Sequence, residues 1–392
     1  MKDFHIAVVG HPMPPNVGPS LPLVAVLVRR GYRVTYVTSS KFFSRVSATG
    51  AQVVEIPLFT PVFQHDPRWT QRFQHPFCRS AIKALEITTA RYADDKPNLI
   101  LYDMIAFAGR ILSATWNIPA IQISPTFALR RETLEQQFRN ADWRREVVEL
   151  ADHADRFLTH YSVNSRDFLF HRERLNIYFA PKALQPEGDV FGNTCFYAGR
   201  CAGEQLYYGQ WQKARSHNRP VVFVSTSTAY LQGPGFFRLC VEALTALNYH
   251  VILSIGDHFD TTSLGSLPSS CEVVQGIAHV MILPHVDLFI CLGGNITAAE
   301  AAYYGVPMIV TSHGFPELEY QGDNIERLKL GLHLRKDALT LGTLQQAVAQ
   351  IFADKSILSR VREVKRVVRK EPGAEETANR IEDYIEDYCD RL

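Results

Sequence analysis

Two separate series of short Val- and Ile-rich segments, each alternating with helical stretches, constrain this chain more than any other feature. The first series opens with HIAVVG (5–10), whose unbroken apolar run reads as a buried strand. Pro12, Pro14, Pro15 and Gly18 then predict a loop. SLPLVAVLVRRG (20–31) predicts a helix ending at Gly31, and RVTYVT (33–38) a second strand. LILYD (99–103), a helix over 105–116 and AIQIS (120–124) repeat the unit. The second series runs through VVFVST (221–226), a helix over 235–247, HVILSIG (250–256) and CEVVQG (271–276). It continues with a helix near 279–284, DLFICLGG (287–294), a helix over 297–304 and VPMIVT (306–311). Strand, helix, strand in this order is the βαβ unit of a parallel sheet, so the expectation is an α/β protein with two doubly wound domains.

The polar and aromatic stretch 206–220 reads as the joint between the series. The domains expected are 1–210, a linker at 211–220, a second domain at 221–375 and a final helix at 376–392, in which Thr377, Ile381, Tyr384, Ile385 and Tyr388 recur at helical spacing. A net charge of +1 gives no bulk electrostatic case for binding nucleic acid or an anionic membrane. The seven cysteines contain no C-x-x-C pair, which argues against a disulfide framework or a zinc site and fits a reducing cytoplasm. No apolar run reaches the about 18 residues of a membrane span, and the stretch Ile6–Gly10 is too short for a signal-peptide core.

Chemistry concentrates in Leu292–Gly293–Gly294–Asn295–Ile296–Thr297, where a strand passes through a Gly-Gly turn into a helix. Glycines let the backbone pass close to a ligand, and the helix behind them aims free N–H groups and a positive dipole end at that spot, which suits a diphosphate. The whole stretch HVDLFICLGGNITAAEAAYYGVP (285–307) resembles the donor-binding region of the family 1 glycosyltransferases, in the bacterial macrolide and antibiotic branch. Further similarities follow in chain order at Pro19–Ser20–Leu21, at Leu101–Tyr102–Asp103, at Ser124–Pro125–Thr126–Phe127 and at VVFVSTST (221–228). The resemblance implies the GT-B fold: two Rossmann-like domains facing an interdomain cleft, with the acceptor held mainly by the first and a nucleotide sugar mainly by the second. It also implies a final helix crossing back to the first domain, and a metal-independent enzyme needing no cofactor beyond its nucleotide-sugar co-substrate.

Carried over residue by residue, the resemblance places Asp103 and Asn16 at the acceptor hydroxyl, and His11, at the carboxyl end of the first strand, reaches the same cleft if the Pro-rich loop folds back. The resemblance places Ser225, Thr228, His279, Gly293, Gly294, Asn295, Thr297 and Glu317 around the donor, with Glu317 toward the sugar hydroxyls, and His313, in the same loop as Glu317, is expected to replace the lost phosphate contact. Phe63, Trp69 and Phe127 are expected to face an apolar acceptor, the first two within an aromatic lid over 59–77. Three positions depart from the family's pattern. Asn16 stands where the family has its catalytic His, and an amide cannot take a proton near neutral pH, which leaves Asp103 without an imidazole partner. Leu292 replaces the diphosphate-binding His, and Gly276–Ile277–Ala278–His279 lacks the ring that stacks on the base. An essential polar contact at a transition state is worth roughly 3 kcal/mol, so such losses need compensation.

The expectation is an inverting glycosyltransferase that moves a sugar from a nucleoside diphosphate to a small hydrophobic natural product of polyketide type, cytoplasmic, with a homodimer as the oligomeric state to test. Two alternatives stay open at this point: a non-catalytic homologue that binds a partner or metabolite, and a scaffold repurposed for a sugar-independent reaction in natural-product biosynthesis.

Overall fold

The alternation of strand and helix produces, in the computed structural model, two parallel sheets, each in its own compact unit of the chain. The structure describes residues 4–57, 69–128, 154–163, 171–186, 191–201, 219–226, 232–256, 259–275 and 277–389, with the single residues 130, 132, 152 and 211. Over 69–79 only the backbone is described.

The first sheet comprises β1 (His5–Val9), β2 (Arg33–Thr38), β3 (Gln52–Glu55), β4 (Leu99–Asp103), β5 (Ala120–Ser124), β6 (Asn176–Tyr178) and β7 (Cys195–Tyr197). Its seven strands lie in the order β3-β2-β1-β4-β5-β6-β7. Strands β1, β4 and β5 are buried along their whole length, as parallel strands covered on both faces must be, and this is why they read as unbroken apolar runs. The second sheet comprises β8 (Val221–Ser225), β9 (His250–Ile255), β10 (Cys271–Gln275), β11 (Leu288–Cys291), β12 (Met308–Val310) and β13 (Gly331–His333). Its six strands lie in the order β10-β9-β8-β11-β12-β13. In each sheet the order reverses beside the first strand, between β1 and β4 and between β8 and β11, which makes a topological switch point.

Helices α1 (Pro14–Val17), α2 (Leu21–Arg29), α3 (Phe43–Ser47), α4 (Trp69–Arg91) and α5 (Phe107–Trp116) belong to the first unit. Helices α6 (Pro234–Ala246), α7 (His279–Ile282), α8 (Asn295–Tyr304), α9 (Pro316–Arg327), α10 (Leu341–Ala353) and α11 (Lys355–Val368) belong to the second. The last helix, α12 (Gly373–Cys389), lies in the first unit, where Arg30 of the α2 C-terminus pairs with Glu382 at 2.6 Å and the Tyr384 hydroxyl donates to the Ala120 carbonyl at 3.1 Å. Those polar ties are half exposed and contribute little by themselves. Burial of Ala378 and Ile381 supplies the apolar contact. No described helix is long and apolar enough to cross a membrane.

The structure departs from the sequence reading in several places. Residues 14–17 form a helical turn inside the stretch expected to be a loop. The expected lid over 59–77 is helical from Trp69 onward as part of α4, while Phe63 lies outside the described residues. The helix expected from 105 starts at Phe107, because the Asp103 carbonyl accepts the Ala106 N–H at 2.8 Å and closes a turn first. Strands β3, β6, β7 and β13 had no counterpart in the reading; three of them span only three residues, too short to show a period.

Helix α5 sits hard against the first sheet at Gly109, where a Cβ would lie 2.4 Å from the Tyr102 Cβ and 3.1 Å from the Val9 Cβ. No side chain can yield there, since both neighbours are Cβ atoms fixed by the strands. Gly109→Ala is expected to cost about 2–3 kcal/mol through overpacking, measured by urea unfolding of the first unit's transition.

Candidate functional site

Both switch points gather the side chains the sequence singled out. In the first unit the register pairs Val9 with Tyr102, so Gly10 and Asp103 leave the sheet side by side. Asp103 is buried, with 1% of its surface exposed. Its Oδ2 accepts the Asn16 Nδ2–H at 2.9 Å and its Oδ1 accepts the Ile105 N–H at 3.0 Å. Desolvation outweighs these two hydrogen bonds and raises the carboxyl to a pKa of about 6. Asn16 is therefore a side-chain partner of Asp103, an amide at the position where the resembling family has an imidazole. His11 is buried at the carboxyl end of β1, and loss of solvation lowers its pKa to about 4, so it is neutral at physiological pH.

The chain segment that carries Asn16 is held by Ser20 and Tyr36, to which the sequence reading gave no role at the site. The Ser20 hydroxyl donates to the Val17 carbonyl at 2.8 Å. Its oxygen then accepts the Tyr36 hydroxyl at 2.8 Å, and Tyr36 is fully buried. Burial pushes the Tyr36 phenol up, and the Asp103 charge adds to the effect. A Cβ on Gly10 would lie 2.8 Å from the Tyr36 ring, so glycine at the end of β1 is what admits the ring. Phe127, expected at the acceptor, follows β5 and is buried; the Gln185 side-chain amide accepts the Ala128 N–H at 3.0 Å and donates to the Ala128 carbonyl at 2.9 Å. The side chain of Trp69 lies outside the described residues.

In the second unit Ser225 ends β8 and His279 begins α7, and the two meet: Ser225 Oγ lies 2.8 Å from His279 Nε2. The other ring nitrogen, Nδ1, lies 3.3 Å from Glu300 Oε2 on α8. A hydrogen between Nδ1 and the carboxylate leaves Nε2 to accept the Ser225 hydroxyl. Phe223 and Phe289 hold the ring by edge contacts, with centroids at 5.6 and 5.4 Å. Glu300 lies within the stretch that carries the resemblance, but the sequence reading gave it no role at the site. Thr228 lies outside the described residues.

Gly293 has φ +86°, and a Cβ there would lie 2.6 Å from the Val310 Cγ1, so only glycine fits the turn. Gly294 is the N-cap of α8 and no side chain caps the helix, which leaves its first-turn N–H groups, with Asn295 and Thr297 beside them half-buried, directed at the carboxyl end of the sheet. Leu292 is buried in the core.

His313 follows β12 in a left-handed conformation, φ 53°, with its ring edge-on to Phe236 at 5.1 Å. Glu317 lies in the first turn of α9, and burial raises its carboxyl above the ordinary range. One turn on, Gln321 is 2% exposed and neither its Oε1 nor its Nε2 is paired. A buried amide left open is costly, so Gln321 marks the same helix face as Glu317 as a place where polar groups are to be met. Gln232, near the start of α6, also has a buried, unpaired Nε2. No sequence signal distinguishes these two amides from surface glutamines.

Comparison with known proteins agrees with this geometry. Residues 238–384 match the C-terminal domain of erythromycin biosynthesis protein CIII-like proteins. The chain is 29% identical to the NDP-glycosyltransferase YjiC of Bacillus licheniformis, over 98% of each chain. It is 29% identical to the oleandomycin glycosyltransferase of Streptomyces antibioticus, over 97% of this chain and 89% of that one. Among solved structures, the glycotransferase of kitacinnamycin superposes with a TM-score of 0.82 at 27% identity, over 98% of this chain and 99% of that one. With its two parallel sheets, the chain has the GT-B fold and is similar along its whole length to glycosyltransferases, those of antibiotic biosynthesis among them.

Proposed function

We propose that this glycosyltransferase moves a sugar from a nucleoside diphosphate to a nucleophilic oxygen on a small hydrophobic natural product, with inversion at the anomeric carbon. The observation that carries the reading is the buried Asp103 carboxylate, anchored by Asn16 and Ile105 and raised to a pKa of about 6. A base with a pKa near the working pH both stays ionised and accepts a proton readily. Similarity to an oleandomycin glycosyltransferase and a kitacinnamycin glycotransferase supports a natural-product acceptor.

In this reading the acceptor O–H proton passes to Asp103 while the acceptor oxygen bonds to the anomeric carbon. The bond from that carbon to the phosphate oxygen breaks, and the nucleoside diphosphate leaves with the electron pair. Asn16 keeps one carboxylate oxygen fixed and contributes no proton of its own. His11, neutral beside the end of β1, is the second group available to the acceptor hydroxyl, and Phe127 forms part of an apolar wall. Gly293, Gly294 and the first turn of α8, with Asn295 and Thr297, hold the charge that develops on the diphosphate. Loss of an imidazole at Leu292 then falls on backbone N–H groups and the ring of His313, while His279, whose two nitrogens are taken by Glu300 and Ser225, holds Ser225 in place. Glu317 and Gln321 meet the sugar hydroxyls.

Nucleotide binding is tested by thermal unfolding with UDP, TDP and GDP, each in large excess. A nucleotide at about 100 times its Kd adds roughly 2.7 kcal/mol, which appears as a rise of a few degrees. One of the three is expected to produce it, and no rise with any of them contradicts the donor reading.

The acid–base assignment has its own signature. The rate kcat/KM is expected to climb with pH to a plateau through an apparent pKa of about 6, since Asp103 must be ionised to act. Asp103→Asn is expected to lower it by about 10²–10⁴-fold. Asn16→Ala removes one hydrogen bond from the charged form, so its profile is expected to move to higher pH. A profile unchanged by Asn16→Ala, or turnover unchanged by Asp103→Asn, removes Asp103 from the role of base.

A further inference from the structure

We propose that His333, outside every group assigned above, is a positioning residue for the sugar end of the donor, acting through Ser312. The inference rests on the reading that Glu317 and Gln321 meet the sugar. His333 ends β13, opposite Val310 of β12 in the register, and its side chain is 1% exposed. Its Nε2 lies 2.7 Å from Ser312 Oγ and its Nδ1 lies 2.8 Å from Asp323 Oδ1. The Ser312 hydroxyl also meets Glu319 Oε1. The ring is thus engaged through both nitrogens, one toward the loop after β12 and one toward α9.

The same carboxylates are tied from the other side. Arg335 bonds Glu319 through one guanidinium nitrogen and Asp323 through the other, the latter at 2.6 Å. Glu319 Oε1 also accepts the Gly314 N–H at 3.1 Å. Ser312 and Gly314 thus hang from one glutamate on either side of His313. That loop needs holding, since His313 and Gly314 both have left-handed backbones, at φ 53° and 81°.

Helix geometry supplies the functional consequence. Glu319 and Asp323 lie on one face of α9 and are bound to the end of β13. Glu317 and Gln321 lie on the opposite face, half a turn round. Fixing the first face fixes the rotation at which the second presents its polar groups. The arrangement depends on Gly322, where a Cβ would lie 2.6 Å from the His333 ring.

The test separates the sugar from the nucleotide. Calorimetry gives the Kd of UDP, TDP and GDP and of their glucose conjugates for the wild type, His333→Gln and His333→Asn. The Gln amide nitrogen reaches about as far as Nε2 and keeps the bond to Ser312, whereas the Asn nitrogen reaches only as far as Nδ1 and keeps Asp323. His333→Asn is expected to weaken binding of the preferred conjugate about tenfold while leaving the free nucleotide within about twofold. His333→Gln is expected to retain the wild-type preference for the conjugate. Equal weakening of nucleotide and conjugate, no effect of His333→Asn, or loss of the preference in both variants overturns the proposal. If His333→Asn does not fold, Gly322→Ala, which displaces the ring without removing a polar group, is measured the same way, and there a retained preference overturns it. A wild type that binds none of the six compounds defeats the donor reading itself, and the proposal with it.

Discussion

A carboxylate kept out of water organises the first unit. Asp103 stands at the end of β4, in the crevice where the strand order reverses, with 1% of its surface exposed. Raising its pKa from 3.8 to about 6 corresponds to about 3 kcal/mol of disfavoured charge. Linkage fixes the sign: the folded chain holds this proton up to about pH 6, the unfolded chain releases it near pH 4, and the group costs stability above that window. The surrounding structure limits the cost and aims the group. Gly10 admits Tyr36, Tyr36 donates to Ser20, Ser20 donates to Val17, and the helical turn that includes Val17 presents Asn16 to Asp103. Each link is an ordinary contact, and together they hold the ionisable group at the carboxyl end of β4.

In the proposed reading the second unit solves a different electrostatic problem with the same topology. A diphosphate brings its own charge, so what the protein needs is fixed dipoles and donors rather than a buried anion. Gly293 and Gly294 open the way to the N-terminus of α8, and Ser225 with Glu300 fixes the ring of His279 beside it. Further along the sheet, Glu319 and Asp323 are satisfied by Arg335, Ser312 and His333, which leaves the opposite face of α9 to Glu317 and Gln321.

Much of this architecture is legible in the sequence because parallel strands covered on both faces must be apolar throughout. HIAVVG, LILYD, AIQIS and HVILSIG could hardly be read otherwise, and they lie within one residue of the observed strands β1, β4, β5 and β9. Strands at and near the sheet edges escape the same reading: β3 has one buried residue, Val54, between exposed ends, and β6, β7 and β13 are too short to show any pattern. The aromatic residues of 59–77 suggested a lid, but from Trp69 onward that stretch belongs to a helix that runs to Arg91. At the site, local signals such as Gly293–Gly294 were visible, whereas pairings across the fold were not. Nothing in the spacing of Asn16 and Asp103 announces a hydrogen bond between them. The same holds for Ser225 with Glu300 through His279, for Tyr36 with Ser20, and for His333 with Ser312. These contacts belong to topology, which brings strand ends together irrespective of their distance along the chain.

The ionisation of Asp103 can be observed directly. Carboxyl ¹³C NMR of protein labelled at aspartate, titrated from pH 4 to 8 and compared with Asp103→Asn to identify the resonance, reports the proton on this one side chain. A midpoint near pH 6 is the result expected from its burial against the Asn16 and Ile105 bonds. A midpoint at the ordinary value near 4 would mean that the carboxylate is solvated, and that the buried base on which the account of transfer rests does not exist.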